Sequence, residues 1–166
     1  DLIDTPPTWV DINNVCPSGQ CAGTLPGSSI NLDGYTWAST EEVNQVFNSY
    51  IGTDEFGAGP DEFTSDEDTP WAAEFFRDFR CDYCSQGYLV TGGFTRDVPQ
   101  GGIVNAAWAQ DADRQPSYPD FYSAAPDAFY SNLQNNASEP GVLNGGWFYR
   151  EVATETPPDP EPVAEA

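Results

Sequence analysis

Histidine, lysine and methionine are all missing from this 166-residue chain. Without histidine no Ser-His-Asp or Cys-His nucleophile can be assembled, and His-bearing metal sites are excluded as well. Without lysine there is no Schiff-base amine and no phosphate-loop lysine. Basic charge is scarce too. The five bases are Arg77, Arg80, Arg96, Arg114 and Arg150, against 27 acids, which gives a formal charge of −22. Such a field repels phosphate backbones and anionic lipid and so argues against nucleic acid or membrane surfaces as partners. It attracts cations and basic partners, and in salty or extracellular water it also serves as plain solvation. No apolar run approaches the roughly 20 residues that cross a bilayer, so no membrane insertion is expected.

A chain that starts at Asp1 and contains no Met reads as a mature product from which a leader was removed. Its four cysteines point to an oxidising compartment, and the expected location is secreted, extracellular or at the cell surface. Asn136-Ala137-Ser138 fits the N-glycosylation acceptor pattern, which makes Asn136 a candidate modification site. Aromatics are plentiful, with ten Phe, eight Tyr and five Trp, enough large side chains for one core. We therefore expect a single globular domain over 1–152, followed by an acidic, Pro-rich extended tail over 153–166.

Thr8-Trp9-Val10-Asp11-Ile12 has strand character after Pro6-Pro7. Ser39-Thr40-Glu41-Glu42 forms a capping box, and Val43, Val46, Phe47, Tyr50 and Ile51 then recur on one helical face until Gly52. That pattern predicts a helix over 40–51. Burying its five apolar side chains is worth roughly 8–15 kcal/mol before conformational entropy is subtracted. Thr69-Pro70 opens a second predicted helix over 70–80, with Trp71, Phe75 and Phe79 in one stripe. Val43, Phe47, Ile51, Phe75, Phe76 and Phe79 are the predicted core. Residues 53–68 read as an acidic loop. Tyr88–Val90, Ile103–Trp108 and Trp147–Val152 read as strands, and Gly92-Gly93, Gly101-Gly102 and Asn144-Gly145-Gly146 read as turns or bulges. The stretch 109–143 reads as one long irregular region.

Three segments carry a resemblance: Trp9-Val10-Asp11, Gly34-Tyr35-Thr36-Trp37-Ala38-Ser39-Thr40-Glu41-Glu42-Val43, and Gly145-Gly146-Trp147-Phe148-Tyr149-Arg150. Their order resembles secreted bacterial surface proteins of the Pro-Glu-Pro sorting-signal group. The helix-start segment is also similar to that of the C-type-lectin-like and formylglycine-generating-enzyme folds. The resemblance implies an α+β, C-type-lectin-like domain with two helices, a short antiparallel sheet, a long irregular loop region and paired terminal strands. It implies no activity. The hydrophobic anchor and basic end of the sorting signal are missing here, and Pro160-Glu161-Pro162 then reads as a spacer left by processing. No cysteine follows Cys84, so the reactive-cysteine chemistry of the formylglycine enzymes does not carry over.

Paired carboxylates can hydrolyse glycosides, but among 27 acids some pair always has a suitable separation, so they single out no active site. We expect no enzyme. Cys16, Cys21, Cys81 and Cys84 could together hold zinc, or pair as two disulfides; the secretory setting favours Cys16–Cys21 and Cys81–Cys84 bridges. A Cys16–Cys21 ring is small and stabilises by roughly 2 kcal/mol. No cofactor is expected, with calcium as the one candidate, on Asp61, Asp66, Glu67 and Asp68. These lack the regular spacing of a calcium loop, and a solvated acidic loop is the favoured reading. Gln115-Pro116-Ser117 and Glu139-Pro140-Gly141 each fall one residue short of a lectin sugar triplet. Tyr118, Phe121, Tyr122 and Tyr130 form a candidate aromatic platform, which core packing explains equally well.

Two functions follow as expectations. The first is a non-catalytic secreted or cell-surface structural or adhesive protein that self-assembles, as a filament or other homopolymer, through its terminal segments. Its partners are other copies of itself. The alternative is a glycan-binding, lectin-like module using the 109–143 region, with or without calcium.

Overall fold

Thr8 and Ser39 each open a helix in the same way. The Thr8 hydroxyl accepts from the Asp11 N–H at 3.1 Å while the Asp11 carboxylate accepts from the Thr8 N–H at 2.9 Å. Ser39 and Glu42 repeat the arrangement at 3.2 and 2.7 Å. Both are reciprocal capping boxes. The helices are α1 (Trp9–Val15) and α2 (Thr40–Ile51), in a computed structural model that describes residues 6–65, 70–85, 88–98, 101–111, 127–140 and 145–151. The strand expected at Thr8–Ile12 is thus a helix. Its cap outweighs the strand preference of Trp9, Val10 and Ile12, and the i, i+3 pair Trp9 and Ile12 becomes its buried face. At its far end α2 stops on Gly52, whose φ of 74° suits a residue without a β-carbon.

The remaining elements are β1 (Thr36–Trp37), β2 (Glu62–Ser65), α3 (Pro70–Asp78), β3 (Tyr83–Ser85), β4 (Tyr88–Phe94), β5 (Ile103–Asp111), β6 (Asp127–Asn136) and β7 (Phe148–Tyr149). The fold is α+β, and the described residues form three helices where two were expected. Five strands form an antiparallel sheet in the order β2-β6-β5-β4-β3, and β1 pairs with β7 in a second, two-stranded one. The closing strand therefore lies against Thr36–Trp37, not against residues 8–12. It is shorter than expected, covering only Phe148–Tyr149. Strand β2 occupies part of the expected acidic loop, and β6, ten residues long, runs through the region read as irregular. Gly92-Gly93, expected as a turn or bulge, sits inside β4. Residues 153–166 and the glycine turn's Asn144 lie outside the described residues.

Helices α2 and α3 cover one face of the large sheet. Ala107 and Ala109 keep that face low on β5, so Phe47 of α2 and Phe75 of α3 reach Phe129 on β6. Phe47 stacks on Phe129 at 4.2 Å, and Trp71 lies over the same ring at 4.1 Å. Val43, Phe47 and Phe75 are buried as predicted; Ile51, Phe76 and Phe79 are half-buried at its margin. A second cluster, built on Trp9, Ile12, Trp37, Phe94 and Val104, packs α1 and the loops after it against the other end of the sheet. Cys16 and Cys21 lie within this cluster at bonding distance, and the second bonded couple joins Cys81 to Cys84 within β3.

Three tryptophans tie the clusters to the sheet through their indole N–H groups. Trp9 donates to the Thr95 carbonyl at 2.8 Å, Trp37 to that of Phe94 at 2.9 Å, and Trp147 to that of Ala107 at 2.9 Å. Buried indoles need such partners. The chain before β7 crosses directly over β4: the Phe94 N–H donates to the Gly145 carbonyl, and the Trp147 N–H donates to the Phe94 carbonyl. The crossing requires a bare backbone at Gly93, since a β-carbon there would lie 2.8 Å from Gly146 Cα and N. Among the described residues no helix is long and apolar enough to cross a membrane.

Candidate functional site

The capping glutamate of α2 does more than close a helix. Its Oε2 accepts from the Ser39 N–H and lies 3.3 Å from Arg96 Nη2, while Oε1 accepts from the Tyr149 hydroxyl at 2.8 Å. Glu42 thereby fixes β7 against the first turn of α2. Burial pushes its carboxyl pKa up, but the Ser39 and Tyr149 hydrogen bonds and the Arg96 charge outweigh that and leave it below its ordinary value. A depressed carboxyl stabilises the fold fully above its unfolded value near 4.5, and that stability is lost as pH falls through the lower folded value. Unfolding at stepped pH should show the wild type losing stability below pH 4.5 more steeply than Glu42→Gln. Parallel curves would mean that Glu42 holds nothing.

Behind Glu42 the first turn is sealed a second time. The Asp97 carboxylate accepts from the Thr40 N–H at 2.9 Å and from the hydroxyls of Thr40 and Thr95. Negative charge here suits the positive end of the helix.

Between α2 and β7 runs a groove of about 490 Å³. Val43 and Val46 form its α2 wall, Phe79 closes one side, and Trp147 and Phe148 form the other; Glu42, Gln45, Ser49 and Tyr149 line its rim. Trp147 is held edge-on to Phe47 at 5.7 Å and close to Phe79 at 5.8 Å, so the aromatic wall is set by the core. A second, more polar depression of about 340 Å³ shares Gln45 and Ser49 and continues to Gly52 and Asp54. Together they follow α2 for much of its length, which for 12 residues is about 18 Å. An apolar cleft with a few polar groups on its rim is the usual form of a binding site. Further along, Tyr50 donates to Asp78 at 2.8 Å and links α2 to α3; burial and the Asp78 carboxylate push its hydroxyl up to about 12.

The expected site residues are not gathered in this groove. Asp61 stands at the entry to β2, where its backbone pairs with Ser131 and its carboxylate accepts the Glu62 N–H. Asp66, Glu67 and Asp68 lie outside the described residues, and among those described no group of three or more potential ligands is placed to hold a metal. Tyr118, Phe121 and Tyr122 also lie outside the described residues. Tyr130 is on β6, half-buried, edge-on to Trp108 at 5.7 Å. Asn136 ends β6 on the surface, its side-chain oxygen accepting from the Ser138 N–H at 3.0 Å. Sequence reasoning found Glu42 only as a cap and missed Arg96, Trp147 and Tyr149 as a site. The signal available was the aromatic run Trp147-Phe148-Tyr149, too concentrated for a short solvent-exposed strand.

No protein-family model matches the chain, and no curated protein or solved structure matches it.

Proposed function

We propose that this protein is a non-catalytic secreted or cell-surface structural protein that self-assembles, the groove of one copy receiving the Pro-rich segment 153–162 of the next. The observation that supports this reading is the aromatic groove along α2, whose rim is formed by Tyr149. From there the chain continues through Arg150 and Glu151 into the Pro-rich sequence. Aromatic grooves take polyproline segments well, because such segments lose little entropy on binding. Pro157-Pro158-Asp159-Pro160-Glu161-Pro162 would extend about 19 Å in that conformation, close to the length of α2. The resemblance to sorting-signal surface proteins and the C-type-lectin-like assignment belong to the same proposal. They gain support from the pairing of β1 with β7, which joins the helix-start segment to the closing segment.

Repeated from copy to copy the contact gives an open chain, and exchanged between two copies it gives a dimer. The charge of −22 opposes either, so particle size should grow as salt screens the repulsion. The test is light scattering of the full chain and of a variant lacking 153–166. The truncated protein should remain monomeric at salt concentrations where the full chain assembles, with its far-UV circular dichroism retained. Equal particle sizes would refute the proposal. Of the four platform residues of the glycan-binding alternative, Tyr118, Phe121 and Tyr122 lie outside the described residues. The fourth, Tyr130, belongs to a different surface.

A further inference from the structure

The two disulfides stand in different surroundings. Cys16 and Cys21 are 1% and 7% exposed, inside the cluster of Trp9 and Trp37, beyond the reach of a thiol in solution while the fold is intact. Cys84 is exposed and Cys81 is half-buried. They flank the entry to β3, the edge strand of the large sheet, and Cys81-Asp82-Tyr83-Cys84 has the C-x-x-C spacing of dithiol redox motifs.

The backbone around this couple is held by bonds other than the disulfide. The Asp82 N–H donates to the Val90 carbonyl at 2.8 Å. The Asp82 carboxylate accepts from the Thr91 hydroxyl at 2.9 Å and from the Gly92 N–H at 2.8 Å. Antiparallel pairing sets Tyr83 against Val90 and Cys84 against Leu89. The two cysteine Cα atoms lie 5.7 Å apart, inside the ordinary span of a disulfide. Opening the S–S bond therefore releases neither cysteine from β4, because Asp82 between them carries the anchor. In the dithiol the Cys81 carbonyl, 3.5 Å from Cys84 Sγ, can accept the new S–H. The two sulfurs stay placed to rejoin.

We infer that Cys81–Cys84 is a thiol–disulfide exchange site, at which an external thiol is taken up on Cys84 as a mixed disulfide and released again by Cys81. The external thiolate attacks Cys84 Sγ, the exposed sulfur. A bond forms between those two sulfurs, the Sγ–Sγ bond breaks, and its electron pair leaves on Cys81 Sγ, which takes a proton from water. Attack by Cys81 on Cys84 Sγ reverses the step. Attack by a second external thiolate on the sulfur of the first releases Cys84 as a thiolate instead. The two external thiols then leave oxidised as their disulfide, and the couple is left reduced. The charge of −22 favours neutral and cationic thiols over anionic ones. A second oxidised copy cannot supply the thiol, since all four cysteines of the chain are paired. None of these residues lines the groove, so the site does not depend on self-assembly.

The test is differential alkylation of the full native chain. The protein is held in limiting dithiothreitol, quenched with iodoacetamide at intervals and read by peptide mass spectrometry. Cys81 and Cys84 should become modified at least about tenfold faster than Cys16 and Cys21. The far-UV circular dichroism should not change, and withdrawal of the reductant in air should restore the Cys81–Cys84 bond. All four cysteines reacting at one rate would overturn the inference, as would loss of the circular dichroism when Cys81–Cys84 is reduced. Single substitutions then separate the two sulfurs. Cys81→Ser treated with cystamine, a cationic disulfide, should gain one cysteamine adduct on Cys84. Cys84→Ser should gain its adduct on Cys81 at least about fivefold more slowly. Equal rates in the two variants would overturn the assignment of Cys84 as the attacked sulfur, and with it the proposed exchange.

Discussion

Gly93→Ala should cost about 3 kcal/mol or more of folding stability, measured by urea unfolding, although it adds a single methyl group. A β-carbon there would lie 2.8 Å from Gly146 Cα and N and 2.9 Å from the Gly145 carbonyl carbon. Overpacking against movable side chains typically costs 1–3 kcal/mol; here the obstacle is backbone, held by hydrogen bonds from Phe94 to Gly145 and from Trp147 to Phe94. Relief would require the Gly145–Trp147 segment to lift, which would remove Trp147 from the Ala107 carbonyl as well. Gly57→Ala is the matched control, since a β-carbon there meets nothing within 4 Å, and it should change stability by less than about 0.5 kcal/mol. Equal effects at the two positions would show that the crossing is loosely packed.

Phe47→Ala should be comparably severe, at about 3–5 kcal/mol. Phe47 is fully buried and its ring meets four others: Phe56, Phe75, Phe129 and Trp147. Removing it leaves a cavity between α2 and the sheet that neither ridge can fill. The loss should reach the groove too, since Trp147 rests edge-on against Phe47. Phe76→Ala, at a half-buried position whose nearest ring is Phe75, should cost roughly half as much or less. A Phe47→Ala loss no larger than that of Phe76→Ala would mean the core centre has been misplaced.

What could be read from the chain alone was what is local. Helix α2 carries its cap, its apolar face and its stop within 14 residues, and it forms as predicted from Ser39 to Gly52. Helix α1 had the same type of cap in Thr8-x-x-Asp11, but seven residues rich in Trp, Val and Ile resemble a strand until tertiary packing chooses. Strand β6 was hidden for a different reason. After Phe129 and Tyr130 its sequence, with Ser131, Asn132, Gln134, Asn135 and Asn136, is poor in strand formers, and its place in the sheet comes from pairing with β5 and β2. Gly92-Gly93 looked like a turn or bulge because composition does not distinguish a glycine needed for rotation from one needed for close approach. The groove was illegible because it joins α2 to Trp147–Tyr149, roughly a hundred positions later, and only tertiary packing brings them together.

The tie at Phe94 also bears on the order in which a copy can be completed as it is made. The Phe94 carbonyl accepts from Trp37 and from Trp147, and its N–H donates to Gly145, so one residue waits on partners made both before and after it. During synthesis Trp37 and Phe94 can meet early, at about 5–20 residues added per second, but the Gly145–Trp147 segment arrives only several seconds later. Through that interval the bare glycine edge of β4 and the apolar ring of Phe94 have no cover on that side. Each chain therefore passes through a stage in which that seam stays open until its own Gly145–Trp147 segment reaches it.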